Sequence, residues 1–189
     1  MKIILEGADN SGKTTLANLI IDRIGDFDLY HHPGGKPTDE DAEFECIRQQ
    51  MEWLHADNVI IDRVTPISQR IYNPNLLLDK KRANAWSEMD RQHQPILIYC
   101  RPSTDRLLRI QDFTWRDGET DEHKHKIIEN QHRFVERYDT LLTNIPCVHY
   151  DFDEKISASL IVRQAINGML GDTSAIGWFH KHMHNWRDS

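Results

Sequence analysis

Two glycines, a lysine and a threonine near the start of the chain fall at one diagnostic spacing. Gly7-Ala8-Asp9-Asn10-Ser11-Gly12-Lys13-Thr14 reads G-x-x-x-x-G-K-T. The chemistry of that pattern is anion binding. Gly7 and Gly12 permit backbone geometry that a β-carbon would obstruct, so successive N–H groups can aim at one phosphate. The following helix adds the positive end of its dipole. Lys13 is placed to reach β- and γ-phosphates, and the Thr14 hydroxyl to hold Mg²⁺. The flanks suit the pattern: Ile3, Ile4 and Leu5 form a short strand before it, and Leu16, Leu19, Ile20 and Ile24 follow at helical spacing. Residues Gly7, Asp9 to Gly12, Lys13, Thr14 and Thr15 are therefore expected to cradle a nucleotide triphosphate, with ATP and Mg²⁺ as cofactors.

Other candidate residues stand just past apolar runs. Val59-Ile60-Ile61 ends at Asp62-Arg63, Phe27 to His31 ends beside His32, and Ile96 to Cys100 ends at Arg101. No Asn-Lys-x-Asp guanine reader is present. A water-activating motor would carry Asp-Glu at its strand end, whereas this chain has Asp62-Arg63. A cation at that point favours clamping an anionic acceptor over polarising water.

These residues need a scaffold. Five short apolar runs alternate with helical segments, which argues for a parallel sheet with right-handed crossovers and helices on both faces. In such sheets ligands bind beyond the carboxyl ends of the strands, so Gly7, His31, Asp62 and Arg101 could share one crevice. Thr38 and Asp41 read as a capping box for a helix whose buried stripe is Phe44, Ile47, Met51 and Leu54. A proline-punctuated helical stretch runs from Ile67 to about Arg91. Ser103 opens a helix carrying Leu107 and Ile110. From Gln111 to Lys126 the apolar pattern fails and a lid is expected. Helical order returns with Ile127, Gln131, Phe134, Tyr138 and Leu141, before a last strand over Cys147 to Tyr150 and a last helix from Ser157 to Leu170. The fold class expected is α/β, a P-loop NTPase fold with a five-stranded parallel sheet and a lid, in a single domain spanning 1–189.

Composition bounds the partners. With 39% hydrophobic and 28% charged residues, 189 residues suffice for one well-buried core. The formal net charge of −7 opposes nonspecific nucleic-acid binding. No membrane span or signal peptide is read, and a cytoplasmic location is expected. Cys46, Cys100 and Cys147 stand singly in apolar segments, as buried thiols in a reducing compartment. His123-x-His125 and His180-x-His182-x-His184 lack the cysteine or carboxylate that would complete a structural metal site. The tail over 171–189, with Trp178, Phe179 and Trp186, is expected to pack on the body or on a partner chain, which leaves room for a homodimer.

The chain resembles the thymidylate kinase family over roughly its first 165 residues. Glu6 to Thr15 is similar to the loop E-G-x-D-G-x-G-K-T-T, with Asn10 replacing a glycine. Pro33-Gly34-Gly35 matches the turn R-E-P-G-G-T. Asp62-Arg63, Ser68 and Tyr72-Asn73 resemble D-R-Y-x-x-S-x-x-A-Y-Q with one extra residue. Arg101-Pro102 through Arg109, the charged gap, and Phe134 to Tyr138 resemble the strand, helix, lid and helix that follow.

The resemblance implies roles. Asp9 would approach the acceptor sugar, Arg63 would hold the acceptor phosphate, Asp62 would act on Mg²⁺ or its waters, and Tyr72 and Asn73 would face the base. The loop has no arginine at positions 8–11, so Arg109 or Arg116 of the lid region would neutralise the transferring phosphoryl group. The turn's Arg-Glu is His31-His32 here, Asn73 is shorter than the family's glutamine, and Cys100 stands where many relatives place an aspartate. The acceptor expected is a deoxynucleoside monophosphate such as dTMP. An alternative is a hydroxyl acceptor, with Asp62 or His32 taking the proton. Viral relatives suggest the hydroxymethyl group of 5-hydroxymethyluracil in DNA as such an acceptor, which would place a viral-type enzyme of DNA modification in the host cytoplasm. The alternative from another class is a module that holds ATP without turning it over.

Overall fold

A computed structural model describes residues 1–31, 37–103, 120–151 and 160–161. His32, the turn at 33–35, Arg109, Arg116, most of the expected lid, nearly all of the last helix and the tail lie outside the described residues.

The chain runs β1 (Lys2–Glu6), α1 (Lys13–Ile24), β2 (Asp28–His31), α2 (Glu40–Trp53), β3 (Val59–Asp62), α3 (Thr65–Tyr72), α4 (Leu76–His93), β4 (Ile96–Cys100), α5 (Asp121–Leu142) and β5 (Val148–Tyr150). The five strands form one parallel sheet in the order β2-β3-β1-β4-β5. A strand buried on both faces must be apolar on both, and Ile3, Ile4, Leu5, Val59, Ile60 and Ile61 are all fully buried. Alternation then divides them. Ile3, Leu5, Ile60, Ile98 and Cys100 pack with Leu16, Ala17 and Ile20 of α1 and with Ile161. Ile4, Val59, Ile61, Leu97 and Tyr99 face the opposite way, onto Ile47 of α2 and Leu54 at its C-terminal cap, Ile67 and Ile71 of α3, Trp86 and Met89 of α4, and Tyr138 of α5.

Three local readings need correction. The cap of α2 is Asp39, whose side chain accepts from Ala42 N at 2.8 Å, while the Thr38 hydroxyl donates to the Asp39 carboxylate. Asp39 has the extended backbone that an N-cap needs, so the helix starts one residue later than a Thr38 cap would set it. Phe44 is not part of the buried stripe. It is 38% exposed and lies under the Lys81 ammonium, 5.5 Å from the ring centroid. Finally, α5 begins at Asp121 rather than at Ile127, so 121–126 of the expected irregular segment is helical. Acidic residues Asp121 and Glu122 occupy its first turn, where they complement the helix dipole without an apolar stripe to announce it.

The helical stretch after β3 is divided at Asn73–Asn75. Asn75 caps α4 by accepting from Leu77 N at 3.0 Å. Arg82 of α4 is 1% exposed and clamps Glu43 of α2 through both fork nitrogens, at 2.6 and 2.9 Å. A third bond, from Arg82 Nη1 to Asn73 O at 3.0 Å, closes the break between α3 and α4. One buried arginine thereby fixes three segments behind the site.

Candidate active site

The glycine loop leaves β1 through Gly7, whose φ is +148°. A β-carbon there would sit 2.3 Å from Cys100 O and 2.7 Å from Ser11 Oγ. Only glycine allows the loop this close to the end of β4. Asn10 has φ 55°, the left-handed conformation that asparagine tolerates best among residues with a side chain. An asparagine can therefore stand at this point of the loop without a glycine's freedom. Gly12, at φ 84°, caps α1 without a side-chain bond, so the first-turn N–H groups point out of the loop. Thr14 and Thr15 are exposed in that first turn.

Lys13 is 8% exposed. Its Nζ donates to Ala8 O at 2.7 Å, Gly7 O at 3.0 Å and Ser11 Oγ at 3.4 Å. Burial lowers the pKa of its ammonium, and the Arg63 guanidinium pushes the same way.

The second arm enters from β3. Arg63 has φ 71°, an unusual conformation for a long side chain and one that turns it back across the sheet. A single nitrogen, Nη2, donates to Asp9 Oδ1 at 2.7 Å, Tyr72 Oη at 2.9 Å and Gly7 O at 3.2 Å. The guanidinium carbon lies 5.0 Å from the Tyr72 ring centroid. Tyr72 in turn leans on Phe134 of α5 at 4.6 Å, and burial raises its phenol pKa. Lys13, Arg63, Asp9, Tyr72 and Gly7 are thus one contact cluster. Asn73 follows Tyr72 as the residue that closes α3, and its carbonyl accepts from Arg82.

Asp62 ends β3 beside the loop and is 7% exposed. Its Oδ2 is 3.3 Å from His31 Nδ1, at the end of the neighbouring strand β2. Its Oδ1 is buried and without a partner. A buried carboxylate oxygen with an open lone pair fits a hard divalent cation or its waters. Among the described residues no group of three or more His, Cys, Asp or Glu side chains converges on a metal site, and His125 is engaged with Asp121 O.

Arg101, the fourth strand-end residue, is committed elsewhere. It makes a two-pronged ion pair with Asp139 of α5 at 2.9 and 3.0 Å. Two residues escaped the sequence reading. Glu6, read only as part of the loop pattern, is a fully buried hub. Gln131, read as one of a helical stripe, is fully buried and donates from Nε2 to Asp9 O at 2.9 Å. A polar residue inside an apolar stripe was the available signal for Gln131. The burial of Glu6 follows from its place at the end of an otherwise apolar central strand.

No protein-family model matches the chain, and no curated protein matches it. Solved structures do. A deoxyadenosine kinase from M. mycoides, determined with the products dCMP and a flexible dCDP bound, aligns over 89% of this chain and 100% of its own, at 20% identity and a TM-score of 0.50. The YorR protein of Bacillus subtilis, determined in complex with phosphorylated GDP, aligns over 89% of this chain and 95% of its own, at 19% identity and a TM-score of 0.63. Both share its fold, a parallel five-stranded sheet with helices on both faces. No helix among the described residues is long and apolar enough to cross a membrane.

Proposed function

We propose that the chain is an ATP-dependent kinase of the thymidylate kinase-like type, transferring a phosphoryl group to a deoxynucleoside monophosphate such as dTMP. One observation carries this. Lys13 Nζ and Arg63 Nη2 donate to the same atom, Gly7 O, at 3.0 and 3.2 Å. The two cations therefore lie within about 6 Å of each other, one from the donor loop and one from the acceptor arm. A phosphoryl group passing between two phosphates needs cationic contact on both sides, and little else from the protein beyond alignment.

In this reading the N–H groups of the loop and α1 hold the ATP phosphates, and Lys13 exchanges its loop carbonyls for phosphate oxygens. Arg63 turns its fork from Asp9 to the acceptor phosphate, Asp9 becomes available to the acceptor sugar, and Tyr72 borders the base. Thr14 and Asp62 would hold Mg²⁺, which would neutralise charge on the donor phosphates. Arg109 and Arg116 are the proposed lid cations. The structural neighbours, one with dCMP and dCDP and one with phosphorylated GDP, support a nucleotide in this crevice.

A second reading takes a hydroxyl acceptor, either of a deoxynucleoside or of 5-hydroxymethyluracil in DNA. The pairing of His31 Nδ1 with Asp62 Oδ2 favours it, since an imidazole backed by a carboxylate can receive a hydroxyl proton. The net charge of −7 opposes the DNA form. Labelled ATP tested against deoxynucleoside monophosphates, deoxynucleosides and hydroxymethyluracil-containing DNA decides among them. Label should appear on dTMP or another monophosphate, and Lys13→Ala should abolish transfer while leaving the melting temperature near that of the parent. Turnover by that variant within a few-fold of the parent would refute the kinase reading. ATP binding without transfer to any acceptor would identify a binding module.

A further inference from the structure

Glu6 takes no part in the mechanism above, yet it is the most deeply buried carboxylate near the site, with no exposed surface. It lies at the end of β1, one residue before the loop, and three elements converge on its two oxygens. Val64 N donates to Oε1 at 2.7 Å. The Ser68 hydroxyl of α3 lies 3.2 Å from Oε2 and 3.4 Å from Oε1. The Tyr138 hydroxyl of α5 donates to Oε2 at 2.9 Å.

The Val64 bond is the informative one. Arg63 is left-handed at φ 71°, and its own N–H donates to Leu5 O at 2.9 Å. The peptide before Arg63 is therefore tied to β1 by the backbone, and the peptide after it by the Glu6 side chain. These two bonds bracket a conformation that a long side chain adopts only under constraint. We propose that Glu6 is a positioning residue, whose ionised carboxylate holds the Arg63–Val64 peptide so that the Arg63 fork faces the acceptor, and whose protonation slackens that hold. This rests on the reading of Arg63 as the acceptor's phosphate ligand.

The groups facing Glu6 are Lys13 from α1, Arg63 and Tyr72 from the segment after β3, Cys100 from β4, and Tyr138 from α5. Burial pushes the Glu6 carboxyl up to about 7, against the opposing pull of Val64 N–H, Arg63, Tyr138 and Lys13. A carboxylate accepts a backbone N–H more strongly than a neutral carboxyl does, so the hold weakens as the pH falls through that value.

The test compares the parent with Glu6→Gln, which keeps shape and an acceptor oxygen but never ionises. With dTMP as the probe, the variant's acceptor KM should rise about tenfold while the ATP KM stays within about twofold. The parent's kcat/KM for dTMP should fall as the pH drops through about 7, and that inflection should vanish in the variant. The ionisation of dTMP itself, near about pH 6, is common to both proteins and drops out of the comparison. An amide NMR titration reads the clamp without turnover: the Val64 N–H resonance should shift with the same midpoint in the parent and hold still in Glu6→Gln. If no acceptor is phosphorylated by the parent, the kinase reading fails while the titration still judges the clamp. A Val64 resonance that ignores pH overturns the proposal, as does a variant whose ATP and dTMP constants rise together. Should Glu6→Gln not fold, Tyr138→Phe removes one donor that favours the charged form, and the parent's inflection should move to higher pH. An unmoved inflection also overturns it.

Discussion

Replacing Gly7 by alanine puts a methyl group into the end of β4. The new β-carbon would stand 2.3 Å from Cys100 O, more than 1 Å short of ordinary contact, and 2.7 Å from Ser11 Oγ. Ser11 can rotate; Cys100 cannot retreat. Its strand is paired with β1 through Glu6 and Tyr99, and with β5 through Cys100 and Tyr150, and Arg101 N is fixed on Tyr150 O at 2.9 Å. The alanine also inherits φ +148°, which costs about 1–3 kcal/mol, and overpacking adds about 1–3 kcal/mol. A combined loss of about 4 kcal/mol, the middle of that sum, lowers the melting temperature of a domain this size by about 8–16 °C. The alternative to that strain is displacement of the loop, which carries Ser11 and Lys13 with it, so ATP affinity should fall at least about tenfold. Thermal denaturation and calorimetric titration with ATP on the same variant check both. Asn10→Gly is the control: glycine is at home at φ 55°, so neither quantity should worsen. A Gly7→Ala variant that melts within about 2 °C of the parent and binds ATP equally well would refute the reasoning.

Arg63→Lys should weaken use of the acceptor by roughly 1–3 kcal/mol with little change in ATP binding, measured as acceptor KM against ATP affinity; loss of stability alone would assign Arg63 a structural role. Arg82→Met leaves Glu43 buried without its partner and should cost about 3–5 kcal/mol in urea unfolding, with much of the loss recovered in Arg82→Met/Glu43→Leu. Glu6→Gln should change stability with pH in a defined sense. The native carboxyl titrates at about 7 against 4.5 for the ordinary group, so the native state holds a proton that the unfolded chain has released between these values. Parent stability therefore falls as the pH rises from 4.5 to 7, by about 3 kcal/mol for this group. The variant lacks that slope, and urea midpoints at the two ends of the range measure the difference.

The geometry of the glycine loop was legible because its residues are contiguous. The spacing of Gly7, Gly12, Lys13 and Thr14 is itself the geometry, since each position answers to a local backbone demand. The strands were legible because a parallel sheet buried on both faces leaves runs such as Ile3-Ile4-Leu5 and Val59-Ile60-Ile61. The proposed acceptor arm was readable as residue types but not as contacts. The pairing of Arg63 with Asp9 spans 54 positions and depends on a left-handed backbone that arginine does not advertise. His31 meets Asp62 only because β2 pairs with β3 in that register. The α5 boundary was missed because a helix docked through Gln131, Val135 and Tyr138 needs no apolar residue in its first turn. Phe44 looked like core because its spacing fits a stripe, whereas Lys81 covers it from the neighbouring helix.

The position of Lys13 has a thermodynamic consequence for nucleotide capture. Its ammonium is already dehydrated and already coordinated by the carbonyls of Gly7 and Ala8. In the proposed reading, phosphate binding at this loop would be a ligand exchange rather than the immobilisation of a free side chain. The lysine loses little rotamer entropy in the step, because that loss was incurred when the chain folded. What it must recover is the hydrogen bonding of two carbonyls, so weak anions gain little by displacing it. A polyphosphate that also engages the N–H groups of α1 gains enough. The same arrangement that makes the loop ready makes it selective, and it does so before any base or sugar is read.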